Sequence, residues 1–70
     1  MNKEMLKFLV KSANKYLIVD GYIFKAQYPD DQVTRDELAA LQNRGYLEVD
    51  YASGIIIGIR LKQKAKNGFI

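Results

Sequence analysis

The chain has no cysteine and no histidine. Without cysteine there is neither a disulfide framework nor a thiolate metal site. Without histidine the commonest general base and the commonest metal ligand are both missing. Ser12 and Ser53 have no partner for nucleophile activation, and the acids are scattered. Asp30 and Asp31 form an acidic pair, but a hard cation wants several convergent oxygens, so they read as solvated turn residues. The glycines fall at turns, at one strand position and near the end, and none builds a phosphate-cradling loop. No apolar run approaches the roughly 18 residues of a membrane span, and the lysine-punctuated start does not suit a signal peptide. The expectation is a cytoplasmic protein that is not an enzyme, with no cofactor, no metal and no membrane partner.

What is present suffices for one small core. The 70 residues are 49% apolar and include five Tyr and three Phe. A chain of this length buries only about 60% of the surface its unfolded form exposes, so residues 1–70 read as a single domain near the lower size limit. Disorder is not expected. The net charge of +3 is unevenly spread. Residues 1–15 carry four Lys against Glu4, a sum of +3. Residues 16–50 carry Lys25, Arg35 and Arg44 against seven acids, a sum of −4. Residues 51–70 carry Arg60, Lys62, Lys64 and Lys66 with no acid, a sum of +4. Basic ends around an acidic middle suggest one polyanion-facing side.

Periodicity predicts the elements. Leu6, Leu9, Val10, Ala13 and Leu17 keep the spacing of one helical face over residues 2–17, with Asn2 as a plausible N-cap. In "YLIVDGYIF", Asp20-Gly21 between two β-branched and aromatic runs favours a tight hairpin, with Val19 facing Tyr22. The competing reading makes Asp20 an N-cap and residues 21–27 a short helix. Pro29 then biases Tyr28 toward extended geometry. A second helix is predicted over residues 34–44. Thr34 and Glu37 would form its capping box, Val33 and Leu38 its hydrophobic staple, and Gly45 its left-handed terminus. A hairpin follows. Parity favours a three-residue loop, Ala52-Ser53-Gly54, which pairs Tyr51 with Ile55, Val49 with Ile57 and Leu47 with Ile59. The expected core is Leu6, Leu9, Val10, Ala13, Leu17, Leu38, Leu41, Leu47, Val49, Ile57 and Ile59.

Two lysine rows carry the functional signal. Lys3, Lys7, Lys11 and Lys15 advance about 40° per step on a helix and line one gently winding ridge. They fit an ordinary solvated face or a row of phosphate contacts. Arg60, Lys62, Lys64 and Lys66 would point to one side if the last strand continued past Leu61. They fit either protection of a strand edge or a second anionic contact.

The segment "TRDELAALQNRGYLEVDYASGIIIGIRLK" adds a resemblance. Leu38, Leu41, Gly45, Tyr46 and Leu47 match the L-x-x-L-x-x-x-G-Y-L pattern by which winged-helix DNA-binding domains hand the recognition helix to the first wing strand. The chain resembles that family, in its small bacterial or phage type, over about residues 33–62. The resemblance implies a minimal winged-helix-like α+β fold, two helices packed on a small antiparallel sheet. It also implies double-stranded DNA as partner, a regulatory role, and contacts from Arg35, Ala39, Gln42 and Asn43 together with the wing. Gln and Asn side chains suit bidentate reading of adenine. A rival expectation is a protein–protein adaptor or inhibitor, of a phage-encoded kind, that uses the acidic middle or Tyr22, Phe24 and Tyr28 and binds no nucleic acid. A homodimer is compatible with both.

Overall fold

Met5, Leu6 and Leu9 bury one face of α1 (Lys3–Ser12) in the computed structural model, which describes residues 3–67. The proposed cap Asn2 lies outside those residues. The helix stops five residues short of the predicted 17 because Asn14 competes for the backbone. Its side-chain oxygen accepts from the N–H groups of Tyr16 and Ile18 at 2.8 and 3.1 Å. Such local bonds offer the chain an alternative to the helical ladder. Leu17 lies beyond the helix with φ 63°, so it is only partly buried and Lys15 leaves the ridge.

The Asp20-Gly21 pair is not a hairpin. The chain passes from β1 (Ile18–Asp20) directly into α2 (Gly21–Gln27), with Asp20 in extended geometry at the N-cap. Gly21 serves close approach rather than a left-handed turn. A Cβ there would stand 2.5 Å from the Ile56 carbonyl oxygen and 2.9 Å from Ile57 Cα. Phe24 is fully buried beneath this contact, and Tyr28 ends the helix in extended geometry ahead of Pro29, as expected.

Helix α3 (Gln32–Asn43) is capped by Asp31, whose carboxylate accepts from the Thr34 N–H at 2.9 Å. Thr34 is therefore inside the helix and buried, and the expected capping box and staple do not form; Val33 is 71% exposed. The far end follows the sequence reading. Gly45 has φ 83°, its N–H donates to the Gln42 carbonyl, and the Tyr46 N–H donates to that of Leu41. These are the two closing bonds of a Schellman terminus.

Strands β2 (Leu47–Ala52) and β3 (Ile55–Leu61) join through Ser53 and Gly54, at φ 51° and 75°. This is a two-residue turn with both central residues left-handed, not the expected three-residue loop. Pairing Ala52 with Ile55 and Tyr51 with Ile56 would put the hydrophobic faces out of step. A β-bulge corrects this, because Asp50 faces Gly58 and Ile57 is left unpaired. Beyond it Val49 faces Ile59 and Leu47 faces Leu61. Ile57, expected in the core, is turned out and 54% exposed, and Ile56 takes the buried place.

The sheet is antiparallel in the order β1-β3-β2. The fold is α+β, as read, with four helices and three strands among the described residues. The last helix, α4 (Gln63–Asn67), replaces the expected strand continuation and buries Ala65. One apolar cluster unites Met5, Leu6, Leu9, Val19, Phe24, Leu38, Leu41, Leu47, Ile56, Ile59, Leu61 and Ala65. Val10, Ala13, Leu17 and Val49 only flank it.

Gly21→Ala should lower the unfolding free energy by about 2 kcal/mol or more, since the clash is with backbone that cannot swing aside. Gly58→Ala, whose Cβ would lie 3.7 Å from the Val19 carbonyl oxygen, should cost clearly less. Urea titrations of both variants check this, and equal midpoints would refute the packing account of Gly21.

Candidate functional site

The C-terminal row of cations is not a row. Arg60 leaves the outer face of the sheet and grips Asp50 with two bonds of 2.9 Å. That grip raises the Arg60 pKa further above its ordinary value. Lys62 pairs with Glu48 at 3.3 Å. Lys64, already on α4, donates to the Arg44 carbonyl at 2.6 Å with its ammonium 4.6 Å from the centre of the Tyr46 ring. Lys66 is exposed on the same short helix. Three of the four are thus occupied by the protein's own carboxylates or carbonyls. Lys64 also places a positive charge at the carbonyl end of α3, where the helix dipole favours it.

Arg35 is a fastener rather than a free contact. It binds the Asp30 carboxylate at 2.7 and 3.1 Å, donates to the Gly54 carbonyl at 2.6 Å, and lies 5.2 Å from the Tyr51 ring centre. One guanidinium therefore joins the loop before α3, the first turn of α3 and the tip of the β2–β3 hairpin. The hydrogen bonds from Arg35 hold the Asp30 carboxyl below its ordinary pKa. Asp30 and Asp31, read as solvated turn residues, are a hairpin anchor and a helix cap.

Gln42 is exposed, yet its side-chain oxygen accepts from the Val49 N–H at 3.2 Å and braces α3 against β2. Asn43 and Arg44 are exposed beside it. Arg44 was not among the sequence candidates; its position directly before the terminating Gly45 was the available signal. Ala39 is exposed on the same helix, but so are Asp36 and, partly, Glu37, which make the N-terminal half acidic.

The N-terminal row survives in part. Lys3, Lys7 and Lys11 are exposed on α1 with no ion pair among the described residues. Lys15, past the helix end, lies 5.1 Å from the Tyr16 ring centre. Helix α4 packs on α1 and is tied to Arg44 through Lys64. Lys3, Lys7, Lys11, Arg44, Lys64 and Lys66 are therefore carried on elements that touch one another. Of the aromatics considered for a protein contact, Phe24 is buried, and Tyr28 is stacked on it at 5.2 Å and set edge-on to Phe8 at 5.6 Å. Tyr22 alone stands out, 71% exposed.

No family model, curated protein or solved structure matches the chain. The fold and its charges define a class only: a small α+β domain with a fastened hairpin and exposed basic residues on two touching helices, α1 and α4. No helix among the described residues is long and apolar enough to cross a membrane.

Asp30 titrates below its ordinary 3.8, so its tie to Arg35 is at full strength above that pH. The tie is lost as the pH falls through the lower folded value. Amide exchange across the hairpin tip, residues 51–56, should accelerate relative to the centre of β3 across that acid window. Asp30→Asn should remove the step. An unchanged acid profile in the variant would show that Asp30 does not anchor the hairpin.

Proposed function

We propose that the chain is a winged-helix-like DNA-binding module with a regulatory role. The observation that carries this reading is the helix over residues 21–27. It completes the order α1-β1-α2-α3-β2-β3, with two consecutive helices ahead of the hairpin. The sequence had left that second helix open, and without it the resemblance covered only α3 and the hairpin. In such an arrangement the second of the paired helices, here α3, enters the major groove.

The charges favour a particular half of α3. Asp36 and Glu37 oppose phosphate near its start, so contact runs through Asn43 and Arg44 at its end. Lys3, Lys7 and Lys11 on α1 and Lys66 on α4 supply the backbone contacts. Asn43 is the better base reader, because the oxygen of Gln42 is already engaged by Val49. Arg35, Arg60 and Lys62 position the hairpin and sheet and add little to the footprint.

Binding to a generic duplex should fall log-linearly with salt. Lys7→Glu with Lys11→Glu should remove binding at moderate salt, and Lys7→Ala with Lys11→Ala should reduce the slope by about 2. Lys62→Ala, which breaks only an internal pair, should leave the slope nearly unchanged. Fluorescence anisotropy at several salt concentrations checks all of these. Absence of duplex binding at low salt would end the nucleic-acid reading.

A further inference from the structure

The bulge in β3 has an outward consequence. Seating Gly21 against Ile56 and Ile57 turns the Ile57 side chain to solvent and sets α2 alongside it. Tyr22 is 71% exposed, Ile57 54% and Ile55 50%. Together they expose on the order of 350 Å² of side chain, about the size of the largest apolar patch on a typical monomer, which is often functional. Ala26, one turn beyond Tyr22, is exposed and small enough to let another backbone come near.

We propose that this face is the seat of a two-fold homodimer in which α2 of one copy crosses α2 of another. Three observations select a second copy. First, the two ends of α2 carry opposite charge. Asp20 is exposed at its start and accepts no capping bond, and Lys25, half-buried and within the field of Asp30, lies one turn past Tyr22. A two-fold axis near Tyr22 sets each Asp20 toward the other copy's Lys25, the self-complementarity that an isologous contact requires. Second, pairing through sheet edges is obstructed. The Ile18 N–H and carbonyl are both bonded to Asn14, and Gln42 occupies the Val49 N–H on the opposite edge. Third, copies carrying a net +3 would meet like charges across the α1 lysine ridge but not across α2. The patch is well below the roughly 800 Å² per partner of a standard interface, so the dimer is weak. It is independent of the nucleic-acid reading, and each can fail alone.

Sedimentation velocity of the full chain should show a monomer at micromolar concentration and a shift toward twice that mass near millimolar. Ile57→Lys and, separately, Tyr22→Ser should abolish the shift while far-ultraviolet circular dichroism stays native. Since the chain has no cysteine, Ala26→Cys supplies a single thiol. It should cross-link under mild oxidation at least tenfold faster than Lys7→Cys on the lysine ridge. A monomer throughout, a dimer untouched by both surface substitutions, or equal cross-linking at positions 26 and 7 would overturn the proposal. If duplex binding persists in a strictly monomeric protein, only the dimer is lost.

Discussion

The contact of Gly21 with the backbone of β3 is the constraint on which the rest of the structure depends. Because no Cβ intervenes, α2 begins directly at the end of β1 and lies down on the bulge at Ile56 and Ile57. That placement buries Phe24 at full depth and stacks Tyr28 on it, and Tyr28 in turn meets Phe8 of α1. The bulge belongs to the same arrangement. A two-residue turn and an in-phase core are incompatible for this hairpin unless one residue is set aside, and Ile57 is that residue. A side chain at position 21 would disturb the helix, the bulge and the aromatic cluster together.

Charge is distributed by a different rule. Arginines and lysines next to a carboxylate on the facing strand are consumed within the fold, as with Arg60 and Asp50 or Lys62 and Glu48. These exposed pairs contribute little to stability individually. Their effect is to neutralise the outer face of the sheet and leave the basic character to α1, α4 and the end of α3. Arg35 differs, since it joins three separate segments and fixes the hairpin relative to α3. A hairpin held in this way is a rigid extension of the helix it follows.

The arrangement of four helices and a hairpin leaves two surfaces of unlike character. The α1–α4 side is cationic, and among the described residues its α1 lysines have no carboxylate partners. The α2 side is apolar at its centre and charge-balanced at its margin. The first suits a polyanion, whose attraction is long-ranged and salt-sensitive; the second suits a small, self-matching contact.

Several elements were legible from local chemistry alone: the apolar stripe of α1, the body of α3, its Gly45 terminus, the two hairpin strands and the α+β class. Each rests on spacing within a dozen residues or on a backbone geometry that one residue type supplies. The hairpin register, the outward turn of Ile57, the helical state of residues 21–27 and the internal pairing of Arg35, Arg60 and Lys62 were decided by tertiary structure. Gly21 shows why. Asp-Gly satisfies a left-handed turn and a close approach equally well, and only the strand that arrives thirty-five residues later selects between them. The cations follow the same logic, because spacing sets the direction of a side chain, whereas the partner that neutralises it comes from another part of the chain.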